Sequence, residues 1–196
     1  MASALTPEVP ASLDTEVDIA IGVSMEKVER LTVSITGHRP EDIPDEQWTK
    51  DAIKEALCAL NPKLVIQGMA AGVDLWSGVT SWHLGIPYKC VKPWRGHKPR
   101  VADEYMYNWC LSNSVENTEV SPATDYPGVW IYQDRNKVMV DEADVVLAVW
   151  SGKTKGGTYA CIKYAKSKGK PIYVINPASK KIEGYINKDV TEQQLF

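Results

Sequence analysis

The chain has 196 residues, enough to bury a sizeable core and suited to a single domain. Its formal net charge of −3 and sequence pI near 5.7 give the whole molecule no electrostatic drive toward nucleic acid or anionic membrane, so a nucleic-acid partner is not expected. No run approaches the roughly 18 apolar residues of a bilayer span, and the start lacks a basic segment followed by a long apolar one. The expectation is a cytoplasmic protein with no membrane partner. Cys58, Cys90, Cys110 and Cys161 are scattered, with no C-x-x-C pair and no His at ligand spacing. That pattern argues against a zinc site or a disulfide framework, so no metal is expected. Seven Trp and nine Tyr stand against one Phe. Rings that pair an apolar body with a polar handle suit either a core or a site for planar groups.

Residues 1 to about 16 are rich in Pro, Ser and Ala without periodicity and read as a mobile arm. Residues 17–23 (VDIAIGV) alternate, as an extra edge strand or hairpin arm would. We therefore separate an N-terminal arm, 1–30, from a domain at 31–177 and a polar tail at 178–196.

The domain opens with a β-branched strand at 31–36 that stops at Gly37. Pro44 and Asp45 open a helix with the stripe Trp48, Ala52, Ala56, Leu57 and Leu60, ended by Asn61-Pro62. A second strand at 63–67 leads through a glycine-bearing loop, 68–74, into a helix ending near His83. Gly85 precedes a third strand at 87–91, and a helix is expected across 98–111. Residues 112–128 read as a loop with room for one short strand. A helix from about 129 to 142 is followed by 145–150 (VVLAVW), apolar throughout. A strand with no polar face is buried on both sides, as in a central parallel strand covered by helices. A further helix after Gly156-Gly157 and a strand at 171–176 complete the domain. Repeated strand–helix alternation predicts an α/β, Rossmann-like, doubly wound and mostly parallel sheet with helices on both faces.

In such a sheet ligands bind at the carboxyl ends of the strands, near the switch in strand order. Three strand ends carry unusual chemistry. The last, Ser151-Gly-Lys-Thr-Lys-Gly156-Gly157-Thr158, opens a helix. Paired glycines leave backbone N–H groups unobstructed, Thr158 is placed to cap, and a helix start favours an anion by about 0.3–1 kcal/mol. This is either a phosphate cradle, with Lys153 or Lys155 as counter-charge, or a flexible capped turn. It is not a P-loop, because position 147 is Leu where that motif needs Gly.

Gly68 and Gly72, with Met69 and Ala70 between them, bracket the start of the second helix and allow close backbone approach. Asp74 in its first turn either stabilises the helix or contacts a ligand through a sugar hydroxyl or as an acid or base. Gly37, His38 and Arg39 follow the first strand, before a Pro that keeps Arg39 extended and able to bind phosphate. Arg135 shares a helical stripe with Ile131, Val138 and Glu142, so it faces inward or borders the apolar face, and an inward Arg needs a partner. Asn136, Asp141 and Asp144 are candidates for that partner or for ligand contact, and Arg135 and Asn136 are counted among the ligand-binding residues. The basic stretch 89–100, with Trp94 inside it, reads more readily as a solvated surface than as a base-stacking loop.

Taken in order, Ile35-Thr-Gly-His-Arg-Pro40, Gln67-Gly-Met-Ala-Ala-Gly-Val-Asp74, Pro93-Trp94, Arg135-Asn136, the run 141–150 and Gly156-Gly-Thr158 resemble the SLOG superfamily. The nearest branch is the YpsA-like one; the superfamily also holds the LOG phosphoribohydrolases and the DNA-processing protein DprA. The resemblance covers about residues 31–177. It implies a nucleotide or nucleotide-derived ligand held between the 68–74 loop and Gly156–Thr158, with no required cofactor and with self-association into a homo-oligomer. LOG enzymes hydrolyse a nucleoside monophosphate's N-glycosidic bond with a Glu three residues after the motif Thr. Here that position is Cys161, so a hydrolase would have to use Asp74, Asp141 or Glu142 instead. A third reading by the same resemblance is a DprA-like binder of single-stranded nucleic acid through the basic stretch 89–100, against which the acidic net charge counts.

Overall fold

A computed structural model describes residues 30–185 of the chain. The arm and strand expected before residue 30 lie outside the described residues. Twelve elements follow in order: β1 (Thr32–Gly37), α1 (Glu46–Leu60), β2 (Leu64–Gln67), α2 (Val73–His83), β3 (Tyr88–Trp94), α3 (Glu104–Asn113), β4 (Glu116–Ser121), α4 (Trp130–Glu142), β5 (Val145–Val149), α5 (Gly157–Ser167), β6 (Ile172–Asn176) and β7 (Lys181–Tyr185). Short 3-10 turns occupy Pro40–Asp42 and Val101–Asp103.

One seven-stranded sheet holds them in the order β4-β3-β2-β1-β5-β6-β7. Every pairing is parallel except β6 with β7. The chain winds outward from β1 to β4, then returns through α4 to place β5 on the other side of β1. Helices α1, α2 and α3 pack together on one face, and α4 and α5 on the other. This is the expected doubly wound α/β fold, with its switch point between β1 and β5.

The apolar β5 is buried along its whole length, and its side chains divide by period two. Val145, Leu147 and Val149 join Val33, Ile35, Ile53, Leu57 and Leu75 in the larger core cluster. Val146 and Ala148 pack with Val140, Cys161, Ile162 and Ala165 on the opposite face. Each such aliphatic side chain contributes about 1.5–3 kcal/mol by leaving water, which explains why no polar residue interrupts the strand. Asp45 caps α1, accepting from the Trp48 N–H at 3.0 Å, and Asn61 ends it in the left-handed region at φ 41°.

Two expectations change and one is met. The third helix starts at Glu104 rather than near residue 98, because β3 runs on to Trp94 and a turn follows. The 112–128 stretch contains the one short strand it had room for, β4 at Glu116–Ser121, largely exposed and without apolar periodicity. The polar tail contributes β7, where a turn after Asn176 folds 181–185 back onto β6 as a polar edge strand.

Candidate functional site

The carboxyl ends of β1, β2, β3 and β5 open into one cavity of about 800 Å³, a size that suits a small-molecule ligand. Its floor is built from close backbone contacts. A Cβ on Gly37 would lie 2.6 Å from the Val73 side chain, so β1 meets the start of α2 with no room for a side chain. Gly72, at φ 84°, is the residue before α2, and a Cβ there would lie 2.9 Å from the His38 carbonyl. Both glycines let the first two loops touch.

His38 ties the β1 loop to the β5 loop across the switch point. Its Nε2 accepts from the Ser151 N–H at 3.1 Å. With Nε2 an acceptor the ring proton sits on Nδ1, and burial keeps the imidazole pKa below its usual value. Arg39 is extended and exposed on the rim, as the following Pro predicts.

In the β2 loop the Met69 N–H is bonded to the Gln67 side-chain oxygen at 2.7 Å, which holds Met69 at φ 63°. Asp74 is buried beneath it. Its Oδ2 accepts from the Ala70 N–H at 3.2 Å and from Arg135 Nη1 at 3.3 Å. Burial pushes the Asp74 carboxyl above its ordinary range, while the Arg135 guanidinium and the Ala70 and Gly68 N–H groups pull the other way. Arg135 also donates to the Gly68 carbonyl, and a Cβ on Gly68 would lie 2.5 Å from the guanidinium carbon. Its Nε is buried with no hydrogen-bond partner among the described residues. Arg135 faces inward, one of the two placements the helical stripe allowed, and its partner is Asp74 from across the sheet, not Asn136, Asp141 or Asp144.

The β5 loop ends at Gly156, φ 94°, which takes the capping position of α5 without a side-chain bond. Thr158 therefore does not cap; it is the second residue of the helix and is buried. Gly157 faces open space, with Asn136 Nδ2 the nearest atom to a Cβ there at 4.0 Å. Asn136 donates to the Gly157 carbonyl at 3.4 Å and so fixes α4 against the start of α5.

Six Lys or Arg side chains line the cavity (Arg39, Lys98, Arg100, Arg135, Lys153 and Lys155) against three carboxylates (Asp42, Asp74 and Asp103). Some are tied down: Lys153 to Asp42 at 2.9 Å, and Arg100 to Asp103 at 2.7 Å and Glu41 at 3.2 Å. Arg39, Lys98 and Lys155 are exposed and form no ion pair among the described residues. In a chain of net charge −3 this is a local excess of positive charge.

The structure thus brings together Gly37, His38, Arg39, Met69, Ala70, Asp74, Arg135, Asn136, Gly156, Gly157 and Thr158 around one space, with Gly68 and Gly72 packed beneath it. Asp141 and Glu142 it leaves out. They end α4 just before β5 begins, at the amino ends of the strands. There Asp141 accepts from the Tyr164 hydroxyl and faces Lys168, and Glu142 pairs with Lys89 at 2.9 Å. The basic 89–100 stretch divides the same way. Lys89 is a buried ion-pair residue, Lys92 and Arg95 pair with Glu119, and residues 97–100, His97, Lys98 and Arg100 among them, reach the cavity. Sequence reasoning passed over Tyr132, one helical turn before Arg135 and Asn136. That i, i+3, i+4 spacing was the available signal.

Among the described residues no group of three or more His, Cys, Asp or Glu could hold a metal, and no helix is long and apolar enough to cross a membrane.

The fold is shared with solved structures of DNA processing protein A. That of Streptococcus pneumoniae superposes with a TM-score of 0.59 at 15% identity, over 83% of this chain and 54% of that one. That of Helicobacter pylori, described for its single-stranded DNA binding mode, gives 0.59 at 21% identity over 74% of this chain and 65% of that one. The chain spans about half the length of the first protein and under two thirds of the second. No family model and no curated protein matches the sequence. At these identities the likeness is one of fold, and the Rossmann-like architecture is what it establishes.

Proposed function

We propose that the cavity binds a nucleotide or nucleotide-derived small molecule, as the SLOG resemblance implies, and that the protein senses or sequesters that ligand. One observation carries the reading. Six cationic side chains against three carboxylates line a cavity into which α5 points its unobstructed N-terminal N–H groups. A helix start flanked by Lys and Arg is a site for an anion, and the available volume suits a small molecule better than a bare phosphate.

Calorimetry with nucleoside monophosphates, diphosphates, NAD and a cyclic nucleotide tests it. At least one should bind the wild type, and Gly157→Val should abolish that binding. Because a Cβ at Gly157 meets nothing nearer than 4.0 Å, the valine fills the cavity instead of clashing with the protein. A wild type that binds none of these ligands ends the proposal.

A hydrolytic reading rests on Asp74 alone, the one carboxylate of the three sequence candidates that lines the cavity. Its observation is the position of Asp74 in the cavity lining, where burial moves the carboxyl upward, the direction a general acid needs, against the opposing pull of Arg135. Chromatography for free base after incubation with nucleoside monophosphates tests it, and a rate no higher than that of Asp74→Asn ends it. Because the H. pylori fold relative is described as binding single-stranded DNA, an oligonucleotide belongs in the calorimetric series. Salt-sensitive binding there would redirect the proposal from small molecule to strand.

A further inference from the structure

We propose that the β3 end of the cavity is a subsite for a planar heteroaromatic base, with Tyr132 as its stacking surface; this rests on the nucleotide reading above and specifies which part of the ligand lies where. The carboxyl ends of β3 and β5 are three inter-strand steps apart, about 14 Å at ~4.8 Å per step. That separation matches a ligand with chemically different ends, and the two ends of the cavity do differ.

At the β5 end stand the open start of α5 and Lys153 and Lys155. At the β3 end the wall is aromatic. Tyr132 and His97 line it, and Trp94 stands behind both, 4.6 Å from the His97 ring and 5.8 Å from the Tyr132 ring. Tyr126 closes the group, 6.4 Å from Tyr132. Three neighbouring rings hold Tyr132 in place, so its ring is presented without loss of rotamer freedom on binding. Its hydroxyl makes no hydrogen bond among the described residues, although the ring is half-buried. The wall is also uncharged: burial brings the His97 imidazole down to about 4, and its Nδ1 lies 3.0 Å from the Tyr107 hydroxyl. Arg135 acts electrostatically on both rings, Arg39 on Tyr132 and Lys92 on His97, and Arg135 is committed to Asp74 and Lys92 to Glu119. A neutral, pre-positioned ring with a free polar edge suits the face of a base, while the phosphate belongs at α5.

The test is calorimetry with AMP, GMP, CMP, UMP and ribose 5-phosphate on wild type, Tyr132→Ala and Tyr132→Phe. The best nucleoside monophosphate should bind about ten-fold more tightly than ribose 5-phosphate, the scale of one stacked base. Tyr132→Ala should remove that about ten-fold advantage and leave ribose 5-phosphate unchanged, while Tyr132→Phe keeps it. The phenylalanine variant separates loss of stacking from loss of fold. Equal affinity for nucleotide and ribose 5-phosphate, or equal weakening of both by Tyr132→Ala, overturns the base subsite and leaves phosphate binding standing. Binding of neither overturns the nucleotide reading and the subsite together.

Discussion

Asp74 on α2 and Arg135 on α4 belong to helices on opposite faces of the sheet, yet their side chains meet at 3.3 Å beyond the ends of β1 and β2. Both are buried, and Gly68 is the gap through which the guanidinium reaches the β2 loop. The pair closes the floor of the cavity and joins the two helical layers. Removing one partner leaves the other charge buried. Asp74→Ala should therefore cost about 3 kcal/mol in urea unfolding. The double variant Asp74→Leu with Arg135→Met should recover most of that loss, because an apolar pair needs no compensation. A single variant as stable as wild type would mean that the two groups do not depend on each other.

Acid sensitivity follows from the two cavity histidines. Burial brings His97 down from 6.5 to about 4 and lowers His38 as well. Below 6.5 the unfolded chain takes up protons that the folded rings refuse. The stability due to their neutral burial is thus fully present above pH 6.5 and is lost as pH falls toward about 4. Asp74, raised by burial, acts with the opposite sign and favours the folded state as it protonates. His97→Gln should lose less stability than wild type between pH 7 and pH 4.5, measured as the urea midpoint. Equal losses in the two proteins would remove His97 from the account.

Glycine is required at Gly37 and not at Gly157. All three Val73 side-chain carbons would lie 2.6 Å from a Cβ on Gly37, and a β-branched valine in a helix has no second rotamer to retreat to. Gly37→Ala should cost about 1–3 kcal/mol by overpacking, whereas Gly157→Ala should leave the urea midpoint within experimental error. The pair of variants distinguishes a glycine kept for packing from one kept for ligand approach.

Lys153 separates binding from stability. Its ion pair with Asp42 is exposed on both sides, at 59% and 46% of the side chains, so water screens it. Lys153→Ala should leave the thermal midpoint unchanged and weaken the proposed nucleotide binding more at low salt than at high salt. A loss of binding that ignores salt would assign Lys153 a steric role.

The strands whose burial dictates their composition were legible. Residues 145–149 admit only a fully buried strand, and Gly37, Gly72 and Gly156 mark strand or helix ends because side chains there meet neighbours or positive φ. β7 was not, and β4 was legible only as room for one short strand, because an edge strand with polar side chains has no periodicity to read. Among site residues, spacing along one helix placed Arg135 inward or at the border of the apolar face but could not identify its partner. Asp74 lies 61 residues away, and the pairing exists only because two layers converge at the strand ends.

The amino-acid sequence by itself determined the α/β alternation, the central strand and the glycine loops, because each depends on local sterics and on which side chains leave water. Only the tertiary structure decided which chemistry shares one space. Strand order puts β5 beside β1, which gathers His38, Asp74, Arg135 and Gly156–Thr158 at the switch point. The same order sends Asp141 and Glu142 to the far end of the sheet and turns Tyr132 and His97 into a wall. Proximity between side chains from separate elements is a property of the sheet's winding, and no stretch of sequence carries it.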